Sequence, residues 1–130
     1  MSNKKKKILI LTNHSYMLYR FRKELIEELM KNNEVILSMP FVGHHDDFMN
    51  MGLRCIETKM ERRGINPFTD LSLMNFYKKM LKEEKPDLVI TYSIKPNIYG
   101  GLMCSKLKIP FYANVQGLGT AFQKIRFLPF

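Results

Sequence analysis

The chain has 130 residues, of which 45% are hydrophobic and 25% charged, a composition typical of a single globular domain. Its 21 Lys and Arg residues against 12 Asp and Glu residues give a formal charge of +9, which favours anionic partners. No RNP motif, zinc-finger spacing or basic heptad is present, so nucleic acid is not expected among those partners.

The cysteines and the N-terminal residues indicate a reducing compartment. Cys55 and Cys104 have neither metal-ligand spacing nor a partner motif, which predicts two small buried side chains. Lys4–Lys7 precede the apolar run ILIL, which breaks at Thr12 and is too short for a signal core or a membrane span. The protein is therefore predicted to be cytoplasmic, with a peripheral position on the inner face of the plasma membrane left open.

The first half of the chain alternates apolar runs with one amphipathic stretch. Ile8–Leu11 is a continuous apolar run, typical of a strand buried on both faces. A helix is predicted from Met17 to Lys31, with Ser15 as a candidate N-cap and a left-handed end at Asn32-Asn33. Its buried face is expected to carry Leu18, Phe21, Leu25 and Leu29. Further elements are predicted at Glu34–Met39 (strand), Asp46–Met51 (helical turns closed by Gly52) and Arg54–Thr58 (strand).

The second half continues the alternation. Asn66 and Pro67 are typical of a helix start, as N-cap and first helical residue, and Pro86 ends that helix. Its apolar face is expected to carry Phe68, Leu71, Met74, Tyr77 and Leu81. The remaining predicted elements are Leu88–Thr91 (strand), Pro96 to Leu107 (helix) and Pro110–Asn114 (strand). Five strands separated by helices predict an α/β fold: one domain with a Rossmann-like parallel sheet, helices on both faces and right-handed crossovers.

Ligands of such sheets bind outside the carboxyl ends of the strands. The loops expected there are Thr12–Ser15, Pro40–His45, Lys59–Asn66, Ser93–Asn97 and Gln116–Thr120. After Asp87 the chain has no acidic residue, so the last two loops combine backbone amides and cations without negative charge, as a phosphate-bearing ligand requires. A merely basic surface is the alternative.

Two glycine-containing segments follow strands at that edge. Lys95-Pro96-Asn97 enters a helix containing Gly100-Gly101, and these glycines indicate close approach either of the sheet or of a ligand. Gln116–Thr120 has neither the G-x-G-x-x-G spacing of a dinucleotide site nor a Walker loop. Its glycines would let backbone amides approach an oxyanion.

The histidines suggest no metal site. His44-His45-Asp46-Asp47 lacks an evident third ligand and is interpreted as a solvated loop. His14, in the first loop, is either a base or substrate contact, or a capped loop histidine. No metal and no cofactor are therefore expected.

Basic residues outside these loops leave two interpretations open. Arg62-Arg63, ahead of Asn66, would either clamp an anionic ligand or cover a helix start. A larger basic patch facing acidic lipid, or alternatively plain solvated helix faces, would combine Arg62-Arg63 with Arg20, Arg22, Lys23, Lys78, Lys79 and Lys82. The apolar ending GLGTAFQKIRFLPF is expected to belong against structure beyond this chain, or alternatively to pack on itself in a natural short protein.

The order of these motifs resembles bacterial glycosyltransferases of family four. It is most similar to the subgroup that builds lipid-linked polysaccharide and glycan precursors, including the diacetylbacillosamine-diphosphoundecaprenol N-acetylgalactosaminyltransferases. The segments that carry the resemblance are ILILTNHS, YRFRKELIEEL, RRGINPFTD, KPDLVITYSIKPNIYGG and KIPFYANVQGLGTAF.

The resemblance implies the GT-B arrangement, in which two Rossmann-like domains enclose a cleft. Residues 1–130 would then be the acceptor-side N-terminal domain, inactive alone, and a donor domain with its glutamates would be absent. The whole enzyme would transfer a sugar, with retention and without an obligatory metal, from a nucleotide-sugar donor to a polyprenyl-diphosphate-linked saccharide in surface polysaccharide synthesis. The alternatives are a freestanding acceptor-binding subunit and a sugar-nucleotide epimerase of the same architecture.

The resemblance also assigns candidate site residues. Acceptor-binding residues would be Asn13, His14, Arg63, Asn66, Lys95 and Asn97, and donor-facing residues Gln116, Gly117, Gly119 and Thr120. Gln116 departs from many members of the wider family, which carry His at that place. Because a glutamine cannot shuttle a proton, no base is assigned at that position, and the catalytic residues stay unknown.

Overall fold

The computed structural model describes residues 6–59 and 66–114, except for the side chains of Tyr16, Met17 and Phe21. Its strands are β1 (Lys6–Leu11), β2 (Asn33–Met39), β3 (Arg54–Glu57), β4 (Leu88–Tyr92) and β5 (Phe111–Asn114). Its helices are α1 (Ser15–Asn32), α2 (His45–Asn50), α3 (Pro67–Glu84) and α4 (Gly101–Leu107), and a π-helical turn, Pro96–Gly100, leads into α4.

The five strands form one parallel sheet in the order β3-β2-β1-β4-β5. β1 lies at its centre, where Ile8 pairs with Val35 of β2 on one side and with Leu88 of β4 on the other. The Rossmann-like α/β fold predicted from the sequence is thus confirmed.

Two apolar clusters cover the two faces of the sheet. On one, which we call the α1 face, Leu18 and Ile26 of α1 and Phe48 of α2 pack on inward residues of β1 and β2. On the other, the α3 face, Tyr77 of α3 and Cys104 of α4 pack with Leu9, Leu11, Val89 and Phe111. The helices that follow the two neighbouring strands β1 and β4 therefore lie on opposite faces of the sheet: α1 on one and α4 on the other.

The predicted buried faces of the two long helices were partly wrong. In α1, Ile26 is fully buried and Leu25 is exposed. In α3, Tyr77 and Leu81 are buried as predicted, but Phe68 and Leu71 face outward and Leu73 is buried instead. Apolar residues occupy more than one side of each helix, and the position of the sheet selects the side that is buried.

The prediction was correct for the start of α3 and wrong for the end of α1. Asn66 caps α3, since its Oδ1 accepts hydrogen bonds from the amides of Phe68 (3.1 Å) and Thr69 (3.3 Å). No left-handed residue ends α1: Asn33 already begins β2, and its Nδ2 donates to the carbonyl of Leu29 at 3.0 Å.

The paired glycines let the helix after β4 approach the sheet. A Cβ added at Gly100 would lie 2.6 Å from Cδ1 of Leu11, and one at Gly101 would lie 3.0 Å from the Phe111 ring. Both distances are below an ordinary van der Waals contact, and Leu11 is fully buried. Of the two explanations for these glycines, the structure supports close packing on the sheet.

Candidate functional site

The strand order places a topological switch point at the carboxyl edge of the sheet between β1 and β4, and we call the region between the loops that follow these two strands the crevice. Leu11 pairs with Thr91 in the last register position of β1, so the loops that follow the two strands start side by side. They then diverge, because α1 covers one face of the sheet and α4 the other. A divergence of this kind is where open α/β sheets bind their ligands.

The loop after β1 supplies one wall of the crevice. Asn13 and His14 are half-buried here, and the amide of His14 donates to Oγ1 of Thr12 at 3.3 Å. The amide of Thr12 in turn donates to the carbonyl of Ser38 at 3.0 Å, which extends the β1–β2 ladder into the loop. The structure thus places both predicted contact residues of this loop at the crevice.

Ser15 joins this loop to the loop after β2. Its Oγ donates to the carbonyl of Val42 at 2.5 Å and accepts from the amide of His44 at 2.8 Å. The candidate N-cap is therefore the first residue of α1, and its hydroxyl bonds to the neighbouring loop. Gly43, which has a φ of +90°, lies close to this hydroxyl. A Cβ added at Gly43 would be only 2.9 Å from Ser15 Oγ.

The interpretation of His44-His45-Asp46-Asp47 as a solvated loop was wrong for the two half-buried histidines, which pack on aromatic rings, whereas Asp46 and Asp47 are exposed. His44 stacks on Tyr19 with ring centroids 4.3 Å apart, and its Nδ1 lies 2.7 Å from Oδ2 of Asp47. His45 stacks on Phe41 at 4.8 Å. Over residues 6–59 and 66–114, no group of three or more His, Cys, Asp or Glu side chains is placed to hold a metal ion.

On the other side of the crevice, an amide network joins β4, the π-helical turn and β5. Asn97 Oδ1 accepts from the Thr91 hydroxyl at 2.6 Å, and its Nδ2 donates to the carbonyl of Asn114 at 2.8 Å. Asn114 Nδ2 donates back to the carbonyl of Thr91 at 3.3 Å. The end of β5 is therefore fixed against the start of the helix after β4.

Ser93 is a feature of this wall that sequence reasoning missed. It adopts φ +80°, and its carbonyl accepts from the amide of Asn97 at 2.9 Å. A left-handed conformation costs a non-glycine residue roughly 1–3 kcal/mol and is found preferentially at functional sites. No sequence signal marks it, because serine is also common in ordinary turns.

Lys95 is held by a carboxylate of the neighbouring helix. Its Nζ lies 2.8 Å from Oδ1 of Asp70, and the Tyr99 hydroxyl donates to the other carboxylate oxygen at 2.9 Å. The side chains of Lys95 and Asp70 are only 10% and 8% exposed. The expectation of an edge without negative charge was therefore wrong, since α3 brings an acid that the sequence places before Asp87.

These hydrogen bonds shift the pKa values of the Asp70 carboxyl and of the Tyr99 hydroxyl. The hydrogen bond from Lys95, assisted by that from Tyr99, lowers the pKa of the Asp70 carboxyl despite the opposing effect of burial. The hydrogen bond to Asp70 raises the pKa of the Tyr99 hydroxyl. Asp70 is thus held as a carboxylate, and the charge of Lys95 is balanced within the protein.

The predicted acceptor-binding and donor-facing residues fall into three groups. Asn13, His14, Lys95 and Asn97 surround the crevice, although Lys95 and Asn97 use their polar atoms on protein partners. Asn66 lies at the start of α3, where its carbonyl accepts from the amide of Asp70 at 2.8 Å. The residues outside the described ranges are Arg63, Gln116, Gly117, Gly119 and Thr120. Direct ligand contact by any of these residues stays a prediction.

The basic residues proposed as one patch lie on opposite faces of the sheet. Arg22 and Lys23 belong to α1, where Lys23 Nζ lies 4.9 Å from the centroid of the Tyr19 ring. Lys78, Lys79 and Lys82 belong to α3, on the other face. The two groups therefore do not form one continuous patch on a face of the sheet.

A five-stranded parallel sheet in this order, with a crevice at its switch point, defines the Rossmann-like class of α/β domains. Among solved structures, the chain is similar to a glycosyltransferase from Rickettsia africae (TM-score 0.67, 22% identity, covering 93% of this chain and 33% of that one). It is also similar to the UDP-GlcNAc 2-epimerase from Methanocaldococcus jannaschii (TM-score 0.61, 21% identity, covering 92% and 34%). These likenesses establish the fold.

The chain belongs to the glycosyl transferase 4-like family, whose profile matches residues 7–127. It is 29% identical over 118 residues to the N,N'-diacetylbacillosaminyl-diphospho-undecaprenol alpha-1,3-N-acetylgalactosaminyltransferase of Campylobacter jejuni. That alignment covers 89% of this chain and 31% of the relative, so the chain spans about a third of the relative's length. None of the helices in the described ranges is long and apolar enough to cross a membrane.

Proposed function

We propose that the chain is the acceptor-side N-terminal domain of a retaining glycosyltransferase. The whole enzyme transfers a sugar from a nucleotide-sugar to a saccharide carried on a polyprenyl diphosphate, in the synthesis of surface polysaccharide or glycan. A second, donor-binding domain completes the active site, so this domain alone is inactive. The enzyme works in the cytoplasm, at the inner face of the plasma membrane.

The observation that carries this proposal is the similarity over 118 residues to a transferase whose name specifies a diphospho-undecaprenol acceptor. The crevice between β1 and β4 supports it, since it gives the acceptor a binding place at the edge where Rossmann-like domains hold ligands. The family match extends over residues 7–127, beyond the end of β5, and so includes the predicted donor-facing loop.

Within the crevice, Asn13 and His14 contact the acceptor saccharide, because they lie in the loop after β1, which hydrogen bonds hold in place at the edge of the sheet. Arg63 neutralises acceptor phosphate, and Lys95 donates to it an N–H group that its bond to Asp70 does not use. Asn97, in the turn after β4, and Asn66, at the start of α3, are the remaining acceptor-binding residues. Gln116, Gly117, Gly119 and Thr120 face the donor diphosphate.

The test is the stereochemistry of the product made by the full-length protein. UDP-N-acetylgalactosamine, whose sugar is α-linked, and a soluble short-chain polyprenyl-diphosphate saccharide are incubated with the enzyme, and the new linkage is read by nuclear magnetic resonance. An α-linked product supports the proposal. A β-linked product contradicts retention, and an epimerised nucleotide sugar without transfer favours the epimerase alternative.

A further inference from the structure

Asp70, Lys95 and Tyr99 form a charged group between two packed helices, and we call these three residues the Lys95 cluster. The Asp70 and Lys95 side chains are only 8% and 10% exposed, whereas the same face of the sheet is otherwise packed by apolar side chains such as Leu73 and Met103. A buried ion pair loses its hydration, so apolar residues of similar size would often hold such a contact equally well. Stability alone therefore does not explain the Lys95 cluster, and its place after β4, at the ligand-binding edge of the sheet, indicates a role in binding.

The two oxygens of the Asp70 carboxylate have different partners. Oδ1 accepts from Lys95 Nζ at 2.8 Å, and Oδ2 accepts from the Tyr99 hydroxyl at 2.9 Å. Because Tyr99 occupies the second oxygen, Lys95 gives Asp70 only one of the three N–H groups of its ammonium. Among the residues that the structure describes, Lys95 Nζ donates to no other acceptor. Two N–H groups of a largely buried cation are therefore not used by these residues.

The position of the Lys95 cluster is fixed from both helices. Asn66 caps α3, and its carbonyl accepts from the amide of Asp70 at 2.8 Å. Tyr99 follows Lys95 by four residues, about one helical turn, so both side chains reach the same carboxylate. A lysine side chain otherwise samples many rotamers, and fixing one of them costs conformational entropy. Because protein contacts alone fix Lys95, this cost belongs to folding and does not weaken ligand binding.

We propose that Asp70 and Tyr99 are positioning residues of the acceptor site, which keep the two remaining N–H groups of Lys95 available to the acceptor diphosphate. The proposal rests on the proposed function, in which Lys95 contacts acceptor phosphate. Asp70 holds the ammonium in place, and Tyr99 prevents Asp70 from taking a second N–H group. Without the Tyr99 hydroxyl, Oδ2 would be free to accept from the same ammonium, which would leave one N–H group fewer for the phosphate.

The experiment compares the wild-type full-length protein with Tyr99→Phe, which removes the hydroxyl and changes no charge. Steady-state kinetics are measured with a soluble short-chain polyprenyl-diphosphate saccharide. KM for this acceptor should rise about fivefold, as expected for the loss of one hydrogen bond, while kcat and KM for the nucleotide-sugar stay unchanged. A merely structural role of Tyr99 would reduce the amount of active enzyme, and so lower kcat at constant KM. Either that result or unchanged kinetics would overturn the proposal.

The matched control is Tyr112→Phe in the edge strand β5. The Tyr112 ring is exposed, and within the described ranges its hydroxyl bonds to no member of the Lys95 cluster. This variant should have the kinetic constants of the wild type. An equal rise of the acceptor KM in both variants would show that the effect of Tyr99→Phe does not come from the Lys95 cluster.

A second measurement asks whether Tyr99 acts through Lys95. Inorganic diphosphate is titrated calorimetrically into the wild type, Tyr99→Phe, Lys95→Met and the double variant. Tyr99→Phe should weaken diphosphate binding about fivefold in the wild type and have no further effect beside Lys95→Met. Losses that multiply independently would contradict a positioning role. Should Lys95→Met fail to fold, as urea denaturation would show, the comparison of the wild type with Tyr99→Phe decides alone.

Failure of this proposal can be distinguished from failure of the proposed function. The diphosphate titration requires neither a donor nor sugar transfer. If diphosphate binding depends on Tyr99 as expected but the full-length protein transfers no sugar, the transferase proposal fails and the positioning role stands. If sugar is transferred and Tyr99→Phe has the acceptor KM of the wild type, the positioning role fails and the transferase proposal stands.

Discussion

The two walls of the crevice are held by different chemistry. The wall from β1 and β2 depends on neutral hydrogen bonds, in which Ser15 joins two backbone groups of the neighbouring loop. The wall from β4 depends on a buried charge pair between Lys95 and Asp70, with Tyr99 as a third member. Neutral bonds each contribute modestly, whereas a buried ion becomes costly as soon as its partner is lost. The second wall should therefore be the more sensitive to substitution and to pH.

The largest effect is expected from Asp70→Ala. This change leaves the ammonium of Lys95 without its counter-charge and should lower the free energy of unfolding more than any of the changes below. Urea denaturation measures it. The double variant Asp70→Ala, Lys95→Met should recover part of the loss, because no unpaired charge then remains. If the double variant were as unstable as the single one, the charge pair would not hold this wall.

The next effect is expected from Gly43→Ala on the first wall. Alanine there would adopt an unfavourable positive φ and press on Ser15 Oγ, which should cost about 2 kcal/mol. Gly52→Ala is the matched control, since Gly52 has a similar φ of +96° but a neighbour only at 3.9 Å. It should cost about 1 kcal/mol. Equal losses of stability in the two variants would show that the contact with Ser15 is unimportant.

A smaller effect is expected from Ser15→Ala. Removing the hydroxyl leaves the carbonyl of Val42 and the amide of His44 without this partner and should cost about 1–2 kcal/mol in urea denaturation. The loss should be the same at neutral and at acidic pH, because neither bond involves an ionisable group. A loss that depended on pH would mean that this wall also depends on charge.

The smallest effect concerns the pH dependence of the second wall. The pKa of Asp70 is lowered in the folded state, so its contribution to stability is complete above the unfolded-state pKa, about 3.9, and is lost as the pH falls through the folded-state pKa. The gap in urea midpoint between the wild type and Asp70→Asn should therefore be wider at about pH 6 than at about pH 3. An unchanged gap would contradict this assignment.

The sequence was sufficient for the parts of the fold that depend on local patterns. The apolar run Leu88–Thr91, the cap at Asn66 and the glycine after α2 are all found as predicted, with β4 one residue longer. Each follows from local backbone preference or from an uninterrupted buried strand.

The sequence was insufficient where a contact joins distant parts of the chain. Asp70 and Lys95 are 25 residues apart, and only the packing of two helices on one face brings them together. The choice between Leu25 and Ile26 as the buried residue of α1 likewise depends on where the sheet lies. Ser93 adopts a positive φ, which its residue type does not predict.

The central claim is that the crevice between β1 and β4 binds the acceptor. Calorimetric titration with a soluble short-chain polyprenyl-diphosphate saccharide tests it most directly, using the wild-type protein and the variant Asn13→Ala, His14→Ala. We expect the wild type to bind and the variant to bind about tenfold more weakly, as is usual for the loss of one or two hydrogen bonds. Absence of binding by the wild type, or equal affinity of the two proteins, would contradict the claim.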